Sequence, residues 1–357
     1  MAKRFLSFFF IIFGLLVLWM STSRSCMQFV AEHRDNNTWY GSYQMLHGDL
    51  VSLCYLDMVK RFNPPREKII FKKPANTLTH NINLYLHGDS YTYQVPDSVF
   101  SGINKLYWID RNHGMNYHLD STKRNILLIE VSERYLRPYF SGLQMLDEVC
   151  DSMVKKKKLA LGKYGTYNQM IYASVLQGFN LNDLFNKYIN QNLQCNLFNY
   201  NFMMPLFESK AALNYYAFNR ASGDVVISKD RNFLFLKETV SLTDPGSSYI
   251  PLTPDDITRL VNNFNAIYDH YKSAGFSEVY LSAIPNSATI MQNHGYNNLI
   301  PLIQNNPKLR MKIIDVYSPF LKSTKVLYQP CDTHWNNDGK LFWLDLVNEK
   351  LQNPDTN

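Results

Sequence analysis

Four short apolar runs, at residues 82–86, 126–131, 279–284 and 311–316, each give way to polar or turn residues, and this punctuation constrains the fold more than any other feature. Runs of this length are strand-sized. Ahead of the third run, residues 253–274 carry a helical pattern. Its start, Thr253-Pro254-Asp255-Asp256, supplies an N-cap hydroxyl, proline at the first helical position and acids in the first turn, and Gly275 closes it. Helix feeding apolar strand, with polar motifs where strands end, predicts an α/β domain on a central, mainly parallel sheet. In such sheets functional groups collect beyond the carboxyl ends of the strands, so residues far apart in sequence can converge.

Two of those strand-end motifs carry chemistry. The first apolar run ends in His87-Gly88-Asp89-Ser90, and near the C-terminus the chain reads Cys331-Asp332-Thr333-His334-Trp335-Asn336. A serine hydroxyl is a weak nucleophile near neutral pH and needs a histidine within hydrogen-bond reach to take its proton. Asp332 and His334, two apart in an extended or tightly turned segment, project together, so the carboxylate can orient the imidazole. Gly88 permits a sharp turn that lifts Ser90 off the strand end, and the Ser90 N–H becomes an oxyanion donor. Taken singly, Gly-Asp-Ser is a common turn tripeptide, and a histidine beside a tryptophan can be a packed structural residue. Together they fill the roles of nucleophile, base and orienter.

On these motifs the sequence resembles the SGNH (GDSL-type) hydrolase superfamily, and most closely its alginate O-acetyltransferase (AlgX/AlgJ-type) branch. The likeness spans roughly residues 80–345. It rests on His87-Gly88-Asp89-Ser90-Tyr91, on Ile129-Glu130-Val131-Ser132-Glu133-Arg134-Tyr135, on residues 226–235, on Ala283-Ile284-Pro285-Asn286, and on Asp332-Thr333-His334-Trp335-Asn336-Asn337-Asp338-Gly339. Here the serine block leads, whereas in the branch it comes last, so the order is permuted or reverted to that of ordinary hydrolases. Ser228 and Asn232-Phe233 stand where the branch has Gly and Gly-Trp, and Ser287 follows Asn286 where it often has Lys. The resemblance implies a three-layer fold, no metal or organic cofactor, and acetyl transfer on a polysaccharide, with the acyl donor delivered by a membrane acyltransferase. Arg134 would then bind a substrate carboxylate or polarise the acyl group; the alternative is a structural Glu133–Arg134 ion pair. Asn286 would be a ligand contact or a strand-end hydrogen-bonding residue, and Tyr91 and Trp335 would be pocket walls.

Residues 151–220 break the alternation with Asn- and Tyr-rich stretches, helical over 181–193 and 205–218, and read as a helical insertion or a permutation joint. At the other end, Lys3-Arg4 precedes an apolar run from Phe5 to Met20. A positive flank and a long apolar segment with no clean small-x-small cleavage site predict an uncleaved signal anchor over residues 1–25, with a cleaved signal peptide as the alternative. Residues 26–357 would form the domain outside the cytoplasm, in a bacterial envelope.

The net charge of +6 comes partly from Lys3-Arg4 and from the run Lys155-Lys156-Lys157-Lys158. That run is a solvated face, or a contact for anionic headgroups or acidic polysaccharide. No zinc-finger, helix-turn-helix or aromatic-basic motif points to nucleic acid. The five cysteines have no metal-like spacing, and Cys331 is expected as a packed thiol rather than a nucleophile. The expectation is an enzyme moving an acyl group to or from a glycan hydroxyl through Ser90, with esterase and silent glycan-binding protein as alternatives.

Overall fold

The apolar run at 126–131 lies within a strand, Arg124–Ser132, whose side chains divide between two cores. In the computed structural model of the chain, residues 2–23, 47–65, 67–74, 81–111, 114–151, 203–221 and 223–353 are described, with positions 193 and 197. The principal elements are α1 (Ala2–Thr22), α2 (Asp49–Cys54), β1 (Ile82–Gly88), β2 (Ile103–Asp110), β3 (Met115–Tyr117), β4 (Arg124–Ser132), α3 (Glu133–Phe140), β5 (Val149–Asp151) and α4 (Met204–Phe218). They continue with β6 (Val225–Ile227), β7 (Leu234–Leu236), α5 (Lys237–Val240), α6 (Pro254–Ser273), β8 (Glu278–Ile284), α7 (Ser287–Met291), α8 (Leu299–Gln304), β9 (Lys312–Ile313), α9 (Tyr317–Lys322) and α10 (Asn337–Gln352).

Five strands form one sheet in the order β2-β1-β4-β8-β9, every neighbouring pair parallel. Counted within this sheet, the order is the doubly wound 2-1-3-4-5, which reverses between β1 and β4 and opens a crevice beyond their carboxyl ends. Because side chains alternate across a strand, Leu127, Ile129 and Val131 face one core, with α3, α6 and α8, while Ile126 and Leu128 face the other, with α9 and α10. Helices on both faces of a parallel sheet make the chain an α/β protein. Each fully buried Leu, Ile or Phe contributes about 1.5–3 kcal/mol.

Local sequence accounts for most of these elements. Thr253 caps α6 through a reciprocal capping box with Asp256, and Gly275 follows with φ +103°, a backbone state that favours glycine. The apolar run at 311–316 yields only two paired residues. It lies at the sheet edge, where β8 is its one neighbour, and the chain turns into α9 at Tyr317. Of the expected insertion, α4 matches the helix at 205–218, whereas residues 181–192 lie outside the described residues.

Helix α1 has 21 residues, about 30 Å at 1.5 Å each, and is long and apolar enough to cross a membrane or to act as a signal sequence. A smaller core lies beside the main sheet. Leu50, Val51, Cys54, Leu56 and Phe62 pack with Ala211 and Tyr215 of α4, with Val225 and Leu234 of the β6–β7 hairpin, and with Cys331. It brings residues near 50 against the loop that precedes α10.

Candidate active site

Ser90 stands two residues beyond β1, at the crevice where the strand order reverses. The backbone turns there: the N–H groups of Thr92 and Tyr93 both donate to Asp89 O at 3.1 Å. Asp89 holds this turn from within. Its Oδ1 accepts the Tyr91 N–H at 2.9 Å, and its Oδ2 accepts from Arg111 at 2.6 Å and from the Ser132 hydroxyl at 3.3 Å. The Asp89 N–H donates to Glu130 Oε2 at 3.1 Å. Burial opposes charge on Asp89, yet Arg111, the Tyr91 N–H, Arg134 and His334 outweigh it and hold its carboxyl below the usual range.

Gly88 is required here by close approach. A Cβ at this position would lie 2.2 Å from Thr92 Oγ1 and 2.9 Å from Glu130 Oε2. The turn demands no left-handed backbone at Gly88, so what requires glycine here is the crowding behind Ser90.

The other half comes from the loop entering α10. Asn336 caps that helix by accepting the Gly339 N–H at 2.9 Å, which fixes where the preceding residues point. Asp332 is fully buried, and its Oδ1 accepts the His334 backbone N–H at 2.9 Å while lying 2.6 Å from His334 Nδ1. His334 Nε2 lies 2.7 Å from Ser90 Oγ. With the ring proton on Nδ1 held by Asp332, Nε2 is the acceptor for the serine hydroxyl. Ser90 is exposed, and His334 is 14% exposed at its side chain. Among the described residues the Ser90 N–H has no acceptor, which leaves it free to meet a developing oxyanion.

The remaining expected residues fall in different places. Tyr91 is buried, with its ring 4.7 Å from that of His334 and its hydroxyl donating to Thr333 O at 2.5 Å, so it braces the histidine loop. Trp335 is buried behind it, edge-on to Tyr91 at 5.0 Å and against Trp343 at 5.4 Å; it supports the site from inside and is no pocket wall. Asn286 is also buried. Its side chain donates to Ser248 Oγ at 2.9 Å and its N–H to Glu133 Oε2 at 2.9 Å, the strand-end role and not a ligand contact.

Arg134 does not pair with Glu133. Its Nε lies 3.7 Å from Glu238, its guanidinium sits 5.0 Å over the Tyr135 ring, and its charge acts on Tyr91 and Asp89. Burial opposes the Arg134 charge, but Tyr135, Tyr91, Glu238 and Asp89 more than offset this. That Nε is buried, and at 3.7 Å it meets Glu238 as an ion pair without a hydrogen bond.

Three further residues shape the site without having been singled out from the sequence. Arg111, stacked 4.2 Å over Tyr135, neutralises Asp89. Glu130 is fully buried behind Gly88, and burial followed by the Asp89 charge pushes its carboxyl well above the usual value. Asp49 reaches the histidine loop from α2, lying 3.6 Å from His334 Nδ1. One signal did exist for Asp49: His47-Gly48-Asp49 repeats the tripeptide His87-Gly88-Asp89.

Asp49, Asp332 and His334 also present donor atoms within 4.8 Å of one another, a spacing that can hold a cation. Each is already engaged, His334 Nδ1 with Asp332 and Asp49 with Thr333, so a cation there would compete with the bonds that orient the imidazole. Cys331 is a buried free thiol 2.6 Å from His47 O, and burial pushes its pKa up to about 12, which suits packing and not nucleophilic attack. Cys54 is likewise buried, and burial pushes its pKa up to about 12.

Comparisons with family models, curated proteins and solved structures give no match for this chain. The site therefore stands on its own geometry.

Proposed function

We propose that the chain is a serine-dependent acyl-transfer enzyme that moves an acetyl or similar acyl group to or from hydroxyls of an envelope or extracellular polysaccharide. The observation that carries this reading is the contact of His334 Nε2 with the exposed Ser90 Oγ at 2.7 Å while Nδ1 is held by buried Asp332. In the first half-reaction Ser90 Oγ attacks the acyl carbonyl, its proton passes to Nε2, and the Ser90 N–H donates to the oxyanion. The tetrahedral intermediate collapses, His334 returns the proton to the leaving group, and an acyl ester remains on Ser90. In the second half-reaction a sugar hydroxyl loses its proton to Nε2 and attacks that ester, and as the bond to Ser90 breaks His334 returns the proton to Ser90 Oγ.

Arg134 supports a glycan that carries acid groups, since its side chain stays 14% exposed and its charge reaches Asp89 and Tyr91 on either side of Ser90. The apolar helix α1 supports a membrane-attached enzyme working outside the cytoplasm, with an acyl donor delivered by a membrane acyltransferase. Hydrolysis is the second reading, favoured by the exposure of Ser90 to water. A silent glycan-binding protein has no need of a serine, histidine and aspartate in bonded register.

The test is incubation of the full chain in detergent with p-nitrophenyl acetate and an acidic oligosaccharide. Acetyl appearing on the oligosaccharide, seen as a mass increase absent from Ser90→Ala, supports transfer. Release of acetate alone supports the esterase, and an oligosaccharide bound without turnover supports the silent protein.

A further inference from the structure

Two aspartates, 283 residues apart, stand beside one histidine and are joined through the backbone of Asp49 and of Thr333. The Asp49 N–H donates to Asp332 Oδ2 at 3.2 Å, and the Thr333 N–H donates to Asp49 Oδ1 at 2.7 Å. The Thr333 hydroxyl donates to Asp49 Oδ2, the same oxygen that lies 3.6 Å from His334 Nδ1. The neighbours extend the match residue by residue. Gly48, at φ +136°, packs so closely that a Cβ would sit 2.2 Å from Cys331 O, and the Cys331 thiol donates to His47 O at 2.6 Å. Residues 47–49 thus lie along residues 331–333, which hold the catalytic base.

Resting on the acyl-transfer reading, we propose that Asp49 is a positioning residue of the active site: a second carboxylate, supplied from outside the parallel sheet, that locks the Asp332–His334 turn and the imidazole in the register Ser90 requires. The physical reason lies in how short the turn is. Asp332 reaches His334 through Oδ1, and rotation of its carboxylate would break both bonds that oxygen accepts. The Asp49 N–H on Oδ2 blocks that rotation, and the Asp49 carboxylate pins Thr333 between the two catalytic residues. A ring displaced by about 1 Å loses on the order of a hundredfold in rate. Burial, followed by the Asp332 charge, raises the Asp49 carboxyl above its usual value, so its part is mainly to hold the turn, and Asp332 is the nearer of the two to the ring as it becomes positive.

The experiment uses the full chain in detergent and compares Asp49→Asn with Cys331→Ala, which loosens the same docking without altering either carboxylate. Ser90 labelling by a fluorophosphonate probe, in which Oγ bonds to phosphorus and fluoride leaves, is followed in each together with thermal melting and the NMR resonance of the His334 Nδ1 proton. The expected result is a folded Asp49→Asn protein that is labelled about a hundredfold more slowly, with a shifted Nδ1 proton, while Cys331→Ala changes both readouts far less. Wild-type labelling and an unmoved resonance in Asp49→Asn overturn the assignment, and so do equal changes in the two variants, which would make Asp49 a docking residue only. A wild-type chain that is not labelled at Ser90 counts against the acyl-transfer reading instead. The resonance then decides Asp49 alone: moved in Asp49→Asn and not in Cys331→Ala supports the assignment, and unmoved overturns it.

Discussion

Glu133 Oε2, at the first residue of α3, accepts the backbone N–H of Asn286, just beyond β8, at 2.9 Å. β4 and β8 are neighbours, so this bond joins the loops leaving the two central strands. The Thr289 hydroxyl donates to the same carboxylate at 2.5 Å, and Ser248 Oγ lies 2.7 Å from Thr289 Oγ1. Removing the acceptor strands a buried N–H and a buried hydroxyl. Glu133→Ala is expected to lower stability by about 1–3 kcal/mol, with Glu133→Gln costing less because it keeps an acceptor oxygen. Urea unfolding followed by tryptophan fluorescence checks this, and equal loss in both variants would contradict it.

Arg134 should act on the acceptor and not on the acyl chemistry. Its side chain is partly exposed at the site, and lysine cannot reproduce the planar fork. Arg134→Lys is expected to raise KM for an acidic oligosaccharide about tenfold, or about 1.4 kcal/mol, while p-nitrophenyl acetate turnover changes little. Steady-state kinetics with both substrates separate the two effects; equal losses on both would place Arg134 in the acyl step.

Gly88→Ala should distort the nucleophile turn, since the added methyl meets Thr92 Oγ1 and Glu130 Oε2. Overpacking of this kind costs about 1–3 kcal/mol. The Thr92 hydroxyl is the closer obstacle, so adding Thr92→Ala is expected to restore part of the stability and part of the Ser90 acylation rate. Thermal melting and probe labelling of both variants test this, and no recovery in the pair would show that Thr92 is not the source of the strain.

Glu130 gives the stability a pH dependence of definite sign. Burial and the Asp89 charge raise its carboxyl well above the usual 4.5, so the folded chain keeps a proton that the unfolded chain has lost. Its contribution is full below about pH 4.5 and is lost as pH rises toward the folded value. Asp89 has the opposite sign, its carboxyl being held below 3.8, so its contribution is lost only in stronger acid. As pH rises from about 4.5, Glu130 is thus the member of the pair whose contribution changes. Glu130→Gln should lose less stability than wild type over that rise in urea titrations, and parallel curves would contradict the assignment.

The sheet was legible because three apolar runs are deeply buried strands whose polar followers mark their carboxyl ends. β2 escaped notice because it is an edge strand with Asn104 and Lys105 exposed, so its apolar pattern is broken. Arg111 was hidden with it: residue 110 aligns with Gly88 across the sheet, which puts Arg111 beside Asp89, and only the register reveals that. Glu133 and Arg134 looked like a pair because they are adjacent in sequence, yet one points to Asn286 and the other to Glu238. Asp49 lies upstream of every strand, and nothing local to it predicts contact with a loop at the far end of the chain.

The most direct measurement is p-nitrophenyl acetate turnover and fluorophosphonate labelling by the full chain, wild type against Ser90→Ala and His334→Ala at equal folded concentration. Turnover and labelling in wild type, both lost in Ser90→Ala and reduced by about 10³-fold or more in His334→Ala, are the predicted result. Turnover that persists undiminished in Ser90→Ala would contradict the assignment of Ser90 as the nucleophile.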